Sequence, residues 1–346
     1  MLAEQQSLGG NFQADSGVVA RNSICNDRLI NEGGVELSRV AVVGELLIDL
    51  ISSSVVRDLG EATSFRRFFA GSPGNLVSNL HDLGVDTALL SRVGDDFFGR
   101  AYLEHLRSRG IDTSFVQLDP EAHTSVVFVS KSQSTPQFMA IRGADCFLEE
   151  PHEIHSFLKN VEFIHFTSWP LSRERTRAVS MKLVALALKM GIKIAFDPNY
   201  REVLWETSHD GKAFTREFVK HCFIVKPSED DSYHIFGPGK PLDYISKFHE
   251  AGAKNVILTL GHKGTIISDG SRIETLPPCA RRVVDTTGAG DAFWSGILFG
   301  LLNGKDIFES AVYGNYCAAF RIEHEGKDVI LPSVEALKAI FEAGDD

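Results

Sequence analysis

Val40-Ala41-Val42-Val43-Gly44 is an uninterrupted apolar run closed by glycine, and Leu76, Val77, Leu80 and Leu83 then recur at helical spacing up to Gly84. A valine-rich run with no polar alternation reads as a strand buried on both faces, and the leucine pattern as a helix that covers one of them. The same unit returns along the chain. Strand-like runs lie at 87–90, 163–166, 192–196, 223–225 and 256–260, with amphipathic stretches at 173–189 and 242–251 among the segments between them. Strands alternating with helices require right-handed crossovers, so the expected architecture is α/β, a mostly parallel sheet with helices on both faces. Two segments break the rhythm. Residues 51–70 and 113–142 hold β-like stretches, notably Ser125-Val126-Val127-Phe128-Val129, and predict a small sheet with one wet face. It reads as a lid or as a flap that only pads the core.

The 346 residues include 35 Lys and Arg against 46 Asp and Glu, a net charge of −11. That balance gives no general support to nucleic-acid binding, so an anionic ligand would have to be held by local backbone donors. Five cysteines (Cys25, Cys146, Cys222, Cys279, Cys317) are widely spaced and lack any C-x-x-C, which favours reduced thiols and a cytoplasmic setting. No apolar run approaches the ~18 residues of a membrane span. Residues 1–38, rich in Gln, Asn, Ser and Gly, are expected to be a poorly ordered extension, with residues 39–346 forming the folded domain.

The strongest chemical signal is Asp285-Thr286-Thr287-Gly288-Ala289-Gly290-Asp291 before the apolar helix pattern that starts at Ala292. The run Arg282-Val283-Val284 is expected to be a strand feeding a small, glycine-rich turn. Such a turn at a helix N-terminus offers backbone N–H groups and a partial positive charge, a design that suits phosphate. Read otherwise, it is a tight turn in which Asp291 complements the helix dipole. No Gly-Lys pair precedes Ser or Thr, and Gly44-Glu45-Leu46 fails the dinucleotide fingerprint, so Walker A and Rossmann readings are excluded. A second constellation is Gly71-Ser72-Pro73-Gly74-Asn75, where Asn75 can face a polar ligand or simply cap the helix. Asp49 is expected at the end of the first strand, where α/β ligands bind.

These two segments resemble the signatures of the ribokinase-like (PfkB) family of small-molecule kinases. The resemblance covers about residues 40–342. Collinear support comes from Gly44-Glu45-Leu46-Leu47-Ile48-Asp49, Ser91-Arg92-Val93-Gly94-Asp95-Asp96, Asp197-Pro198-Asn199-Tyr200-Arg201, Lys226-Pro227-Ser228-Glu229-Asp230-Asp231, Thr259-Leu260-Gly261-His262-Lys263-Gly264 and Gly314-Asn315. The resemblance implies a ribokinase-like three-layer fold with a β-lid and a phosphotransferase that uses ATP and Mg²⁺. It makes Asp291 the base that takes the substrate hydroxyl proton, and Gly288, Ala289 and Gly290 the anion hole. Asp49, Gly71 and Asn75 become sugar contacts, and Arg201 matches an arginine that reaches the substrate in some members. Arg142, in the expected lid, is a further candidate. Ser228, Thr259, Gly261, Gly264 and Asn315 fall to the nucleotide. Where the family has Asn-x-x-Glu near the metal, this chain has Ser228 and Asp231, so Asp231 is the expected Mg²⁺ contact, direct or through water. The pattern is most similar to fructokinases, with 2-keto-3-deoxygluconate kinases and then ribokinases as rivals. A catalytically silent binding or scaffold protein is the non-enzymatic alternative. The implied partners are a small sugar and, through the lid, a second copy of the chain.

Overall fold

The computed structural model describes residues 39–131, 137–207, 209–326 and 329–342; the expected N-terminal extension lies outside them. Thirteen strands are described: β1 (Arg39–Val43), β2 (Leu47–Val55), β3 (Phe65–Ala70), β4 (Asp86–Gly94), β5 (Val116–Asp119), β6 (Val126–Lys131), β7 (Phe138–Ile141), β8 (Val161–Thr167), β9 (Lys193–Asp197), β10 (Ile224–Val225), β11 (Asn255–Thr259), β12 (Thr265–Ser268) and β13 (Ile273–Leu276). Nine of them form one sheet in the order β13-β12-β11-β10-β9-β8-β1-β4-β5. It is parallel from β5 to β11 and ends in the antiparallel pairs β11–β12 and β12–β13.

Side chains alternate across a strand, and here the alternation divides two apolar layers. Ala41 and Val43 of β1 join Ile164 and Phe166 of β8 on one face, whereas Val40 and Val42 join Phe163 on the other. The first face is covered by α5 (Glu174–Lys189), α6 (Gly211–Val219), α7 (Glu229–Phe236) and α8 (Pro241–Glu250), through Leu183, Phe218, Ile235 and Phe248. Covering the second are α1 (Ser72–Asp82), α2 (Phe97–Ser108), α9 (Ala289–Leu302) and α10 (Ile307–Ile322), through Leu76, Leu103, Ile297 and Ala311. The short helices α3 (Ile154–Phe157) and α4 (Ser168–Leu171) flank β8, and α11 (Val334–Glu342) closes the described chain against α10. The result is the three-layer α/β architecture expected from the alternation. Among the described residues, no helix is long and apolar enough to cross a membrane.

The four remaining strands form a separate sheet, β3-β2-β6-β7. Its register places Asp49, Phe68 and Val127 on one face, together with Leu47 and Ala70, which pack on Trp169 and Leu204 of the main body. Its bounds differ from the expected 51–70 and 113–142 at two points. Strand β2 begins at Leu47, because Leu47 and Ile48 alternate into the small sheet rather than extend β1. Residues 116–119 pair with β4 and belong to the large sheet instead. A second correction concerns Arg282-Val283-Val284, which forms no strand: Val283 is 73% exposed, and the Val284 amide bonds Ile322 O at the end of α10 at 2.9 Å rather than a strand.

Candidate active site

The carboxyl ends of β1, β8, β9 and β10 converge where α1 and α9 begin, the place at which open α/β sheets bind ligands. Two glycines make the approach possible. Gly71, the residue before α1, has φ +103°, and a Cβ there would lie 2.4 Å from the carbonyl oxygen of Glu45. Gly288 caps α9 in the left-handed conformation at φ +77°. Helix α1 therefore presses its first turn against the β1–β2 connection, and α9 starts directly beside it.

Asp291 occupies the first turn of α9 and is clamped by α1. Ser72 Oγ donates to its Oδ1 at 2.5 Å, and Asn75 Nδ2 donates to its Oδ2 at 2.8 Å. Burial pushes the carboxyl up to about 6, against the pull of the Ser72 and Asn75 donors; Asp197 adds to the rise and Lys226 opposes it. A carboxylate with that basicity is suited to proton acceptance near neutral pH. The preceding turn is organised by Asp285, whose Oδ1 accepts the Thr287 amide at 2.9 Å, while the Ala289 amide bonds Thr286 O at 3.2 Å. The first-turn amides of a helix lack the carbonyls four residues earlier that would satisfy them, so Gly288, Ala289 and Gly290 lie where backbone donors favour an anion.

Around Asp291 the structure gathers several residues singled out in the sequence. Asp49, half-buried on the inner face of the small sheet, acts with Glu45 and Asp291 on the buried Tyr102 phenol, which burial and these carboxylates push upward. Tyr102 donates to Ala70 O at 2.9 Å and supports the turn before Gly71. The nucleotide candidates form a second, contiguous group. Ser228 and Thr259 pair as a short bridge, Gly261 and Gly264 bound the β11–β12 turn, and Asn315 Nδ2 donates to Pro277 O at 2.8 Å just beyond β13. Gly264 is needed there: φ is +89°, and a Cβ would sit 2.3 Å from Leu276 O.

Three expectations change. Arg142 is not aimed at a ligand: its guanidinium donates to Asp145, to Ser172 Oγ at 2.6 Å and to Trp169 O, and it stacks over the Trp169 ring. Asp145 also receives the Trp169 indole N–H at 2.6 Å and the Ser125 hydroxyl, so this buried cluster fastens the small sheet to α4. Arg201 is held at the start of α7, 3.8 Å from Asp231 and 3.9 Å from Asp230, and donates to Tyr200 O at 2.9 Å. Asp231 and Ser228 make a capping box. Asp231 Oδ2 accepts the Ser228 amide at 2.9 Å and its hydroxyl at 2.6 Å, and Oδ1 accepts the Tyr200 amide at 2.7 Å. With both oxygens so engaged, Asp231 is not free to ligate a metal directly, and no cluster of three or more metal-ligating side chains occurs among the described residues.

Residues not foreseen complete the site. Ser72 stood inside a quoted motif without a role, and its position at the first turn of a glycine-capped helix was the available signal. Glu45, 3% exposed, accepts the Ser72 amide at 3.2 Å. Lys226, Asp197 and Trp294 form a buried polar layer beneath α9.

A buried, basic carboxyl beside the glycine-capped start of α9 suits proton transfer next to a bound anion, the chemistry of a small-molecule kinase. The pfkB family carbohydrate kinase model matches residues 37–333, and the chain belongs to that family. It is 37% identical to an ATP-dependent 6-phosphofructokinase of Thermoanaerobacterium thermosaccharolyticum, across 88% of this chain and 94% of that protein. Among solved structures, Halothermothrix orenii fructokinase superposes with a TM-score of 0.73 at 40% identity, covering 80% of this chain and 97% of its own. Fructokinase from Vibrio cholerae O395, in a form with fructose, ADP and calcium bound, superposes at 0.77 with 26% identity, covering 88% and 99%. The fold is therefore ribokinase-like and the protein an ATP-dependent sugar kinase.

Proposed function

We propose that the sugar is D-fructose and that the phosphoryl group goes to its terminal hydroxyl. The observation that carries this reading is Asp291, held between Ser72 and Asn75 beside Gly288–Gly290, with Asp49 across the same space. The fructokinase names of the relatives support the ketose. In this reading Asp49, Gly71 and Asn75 fix the sugar so that one hydroxyl meets Asp291, and Asn75 exchanges its bond to Asp291 for one to the substrate. Alignment of that hydroxyl with the γ-phosphoryl group removes much of the entropic barrier. As the oxygen bonds to the γ-phosphorus and the bond from that phosphorus to the departing ADP oxygen breaks, the hydroxyl proton passes to Asp291, and the charge on the equatorial oxygens falls on the amides of Gly288 and Gly290 and, once it turns from Thr286 O, of Ala289. Asp231, through water, would hold the Mg²⁺ of the nucleotide, which would neutralise charge on the triphosphate.

The small sheet would act as a lid that excludes water from this space. Its outer face carries Phe128 with the exposed Met139 and Ile141, an apolar surface that a second copy of the chain could cover. Sedimentation velocity at micromolar concentration tests that pairing: a dimer is expected, and a monomer refutes it. A second reading, fructose 6-phosphate as acceptor, draws on the name of the 37% identical relative. The Asp49 and Asp291 carboxyls, which face the same space, favour a neutral sugar. ADP release with ATP-Mg²⁺ and fructose, fructose 6-phosphate, 2-keto-3-deoxygluconate, ribose or adenosine tests the choice. Fructose should have the highest kcat/KM; a tenfold preference for another acceptor, ~1.4 kcal/mol of transition-state binding, overturns fructose and leaves the kinase standing. No turnover with any acceptor would favour a silent binding protein.

A further inference from the structure

Beneath the first turn of α9 lies a buried charge pair that the proton transfer described above does not use. Lys226, at the carboxyl end of β10, is 4% exposed, and its Nζ stands 2.9 Å from Asp197 Oδ2 at the end of β9. The same carboxylate oxygen accepts the indole N–H of Trp294, on α9, at 2.9 Å, and Asp197 Oδ1 accepts the Asn199 amide at 3.1 Å. Lys226 Nζ also lies 3.7 Å from the place a Cβ on Gly290 would take, so the ammonium sits directly against the cradle. His165 of β8, fully buried, packs edge-on to Trp294 with ring centroids 5.0 Å apart, and burial holds it neutral, down to about 4. A buried ion pair is seldom more stabilising than apolar side chains of the same volume. Packing therefore gives no reason for these two charges in this place, whereas an anion arriving at Gly290 does.

We propose that Lys226 and Asp197 are positioning residues: their paired charges, tied to α9 through Trp294 and set against Gly290, fix the electrostatic balance of Asp291 and of the phosphoryl cradle. This rests on Asp291 being the base. The groups that face Asp291 are Ser72 and Asn75 from α1, Tyr102 from α2, Asp197 from β9 and Lys226 from β10. Arg321 of α10 lies beside Gly288, His105 and Arg109 of α2 line the same cavity as Asn75 and Gly288, and Glu45 and Asp49 meet the group through Ser72 and Tyr102. Asp197 and Lys226 act on the Asp291 carboxyl with opposite sign, the first raising and the second lowering it. That opposition separates an electrostatic role from a structural one.

The experiment measures the acid limb of kcat/KM for the sugar, at saturating ATP-Mg²⁺, in the full-length wild type, Lys226→Met, Asp197→Asn and the double variant. Lys226→Met should move the limb up by about one pH unit and Asp197→Asn should move it down by a similar amount. The double variant leaves no unpaired buried charge. It should fold, keep sugar affinity, return the limb toward the wild-type position, and still lose roughly tenfold or more in kcat because the cradle has lost its ammonium. Limbs unmoved in the folded single variants, or wild-type kcat in the folded double variant, overturn the proposal. Asp291→Asn is run beside them. An inactive Asp291→Asn with unmoved limbs sinks the charge pair alone, and an active one sinks the base assignment beneath it.

Discussion

Replacing Glu45 with glutamine should make the protein less sensitive to alkaline pH. Glu45 is 3% exposed, its Oε1 accepts the Ser72 amide at 3.2 Å, and its Oε2 has no partner among the described residues. Burial pushes this carboxyl from 4.5 up to about 8; the nearby Asp145 adds to the rise, while Arg142 and the Ser72 amide oppose it. The folded protein therefore binds the Glu45 proton more tightly than the unfolded chain does. The stability linked to that proton is fully present below about 4.5 and is lost as pH rises through about 8. The difference between those two values sets an upper bound of about 5 kcal/mol at 1.36 kcal/mol per unit. Relaxation and water entry around a newly charged group reduce the expected loss to about 2 kcal/mol, worth about 3 °C in melting temperature for a domain of this size. A glutamine keeps the volume and the acceptor for Ser72 but carries no titrating proton. Melting temperatures of wild type and Glu45→Gln, taken at pH 6 and pH 9, provide the test. The wild type should fall further behind the variant at pH 9 than at pH 6, by a few degrees. An equal difference at both pH values refutes the reasoning, because it would mean that Glu45 is ionised throughout or is well solvated.

Other outcomes follow from packing and from the lid. In Gly296→Ala the new Cβ would lie 2.4 Å from Tyr313 O and 2.5 Å from Gly314 N, so α9 and α10 must part; a loss of about 1–3 kcal/mol is expected, and an unchanged melting temperature contradicts it. Gly264→Ala, barred by its φ of +89° and by Leu276 O, should raise the KM for ATP severalfold while sugar affinity is kept; the reverse pattern would remove the β11–β12 turn from the nucleotide site. Amide exchange in β2, β3, β6 and β7 should slow when saturating fructose is added, and unchanged protection of all four strands would make the small sheet static padding.

What could be read from the sequence is what depends on local periodicity and turn chemistry. The apolar run at Val40–Val43 and the leucine spacing after it carry their own period, and Gly288, at φ +77°, marks the turn that starts α9. The bounds of the small sheet were less legible, since Leu47-Ile48 and residues 116–119 suit either sheet by pattern alone, and only strand pairing decides between them. Charged side chains were hardest to place. Arg142 and Arg201 looked available for a ligand, but their partners Asp145, Ser172 and Asp231 are fixed by tertiary contacts. The Ser228-x-x-Asp231 spacing did carry a capping signature, which the expectation of a metal ligand overrode. Lys226, after a short apolar strand, gave no sign that it would be buried against the cradle.

The most direct test of the central claim is the turnover of Asp291→Asn, measured with fructose binding and melting temperature in the same preparation. Asparagine keeps an acceptor for Ser72 but turns its amide N–H toward Asn75 Nδ2, so the fold should cost about 1–3 kcal/mol and sugar binding should persist. It cannot take the hydroxyl proton. The account predicts that kcat falls by roughly 10²–10⁴-fold with the melting transition intact. A folded, sugar-binding variant that keeps more than about a tenth of wild-type kcat would contradict it.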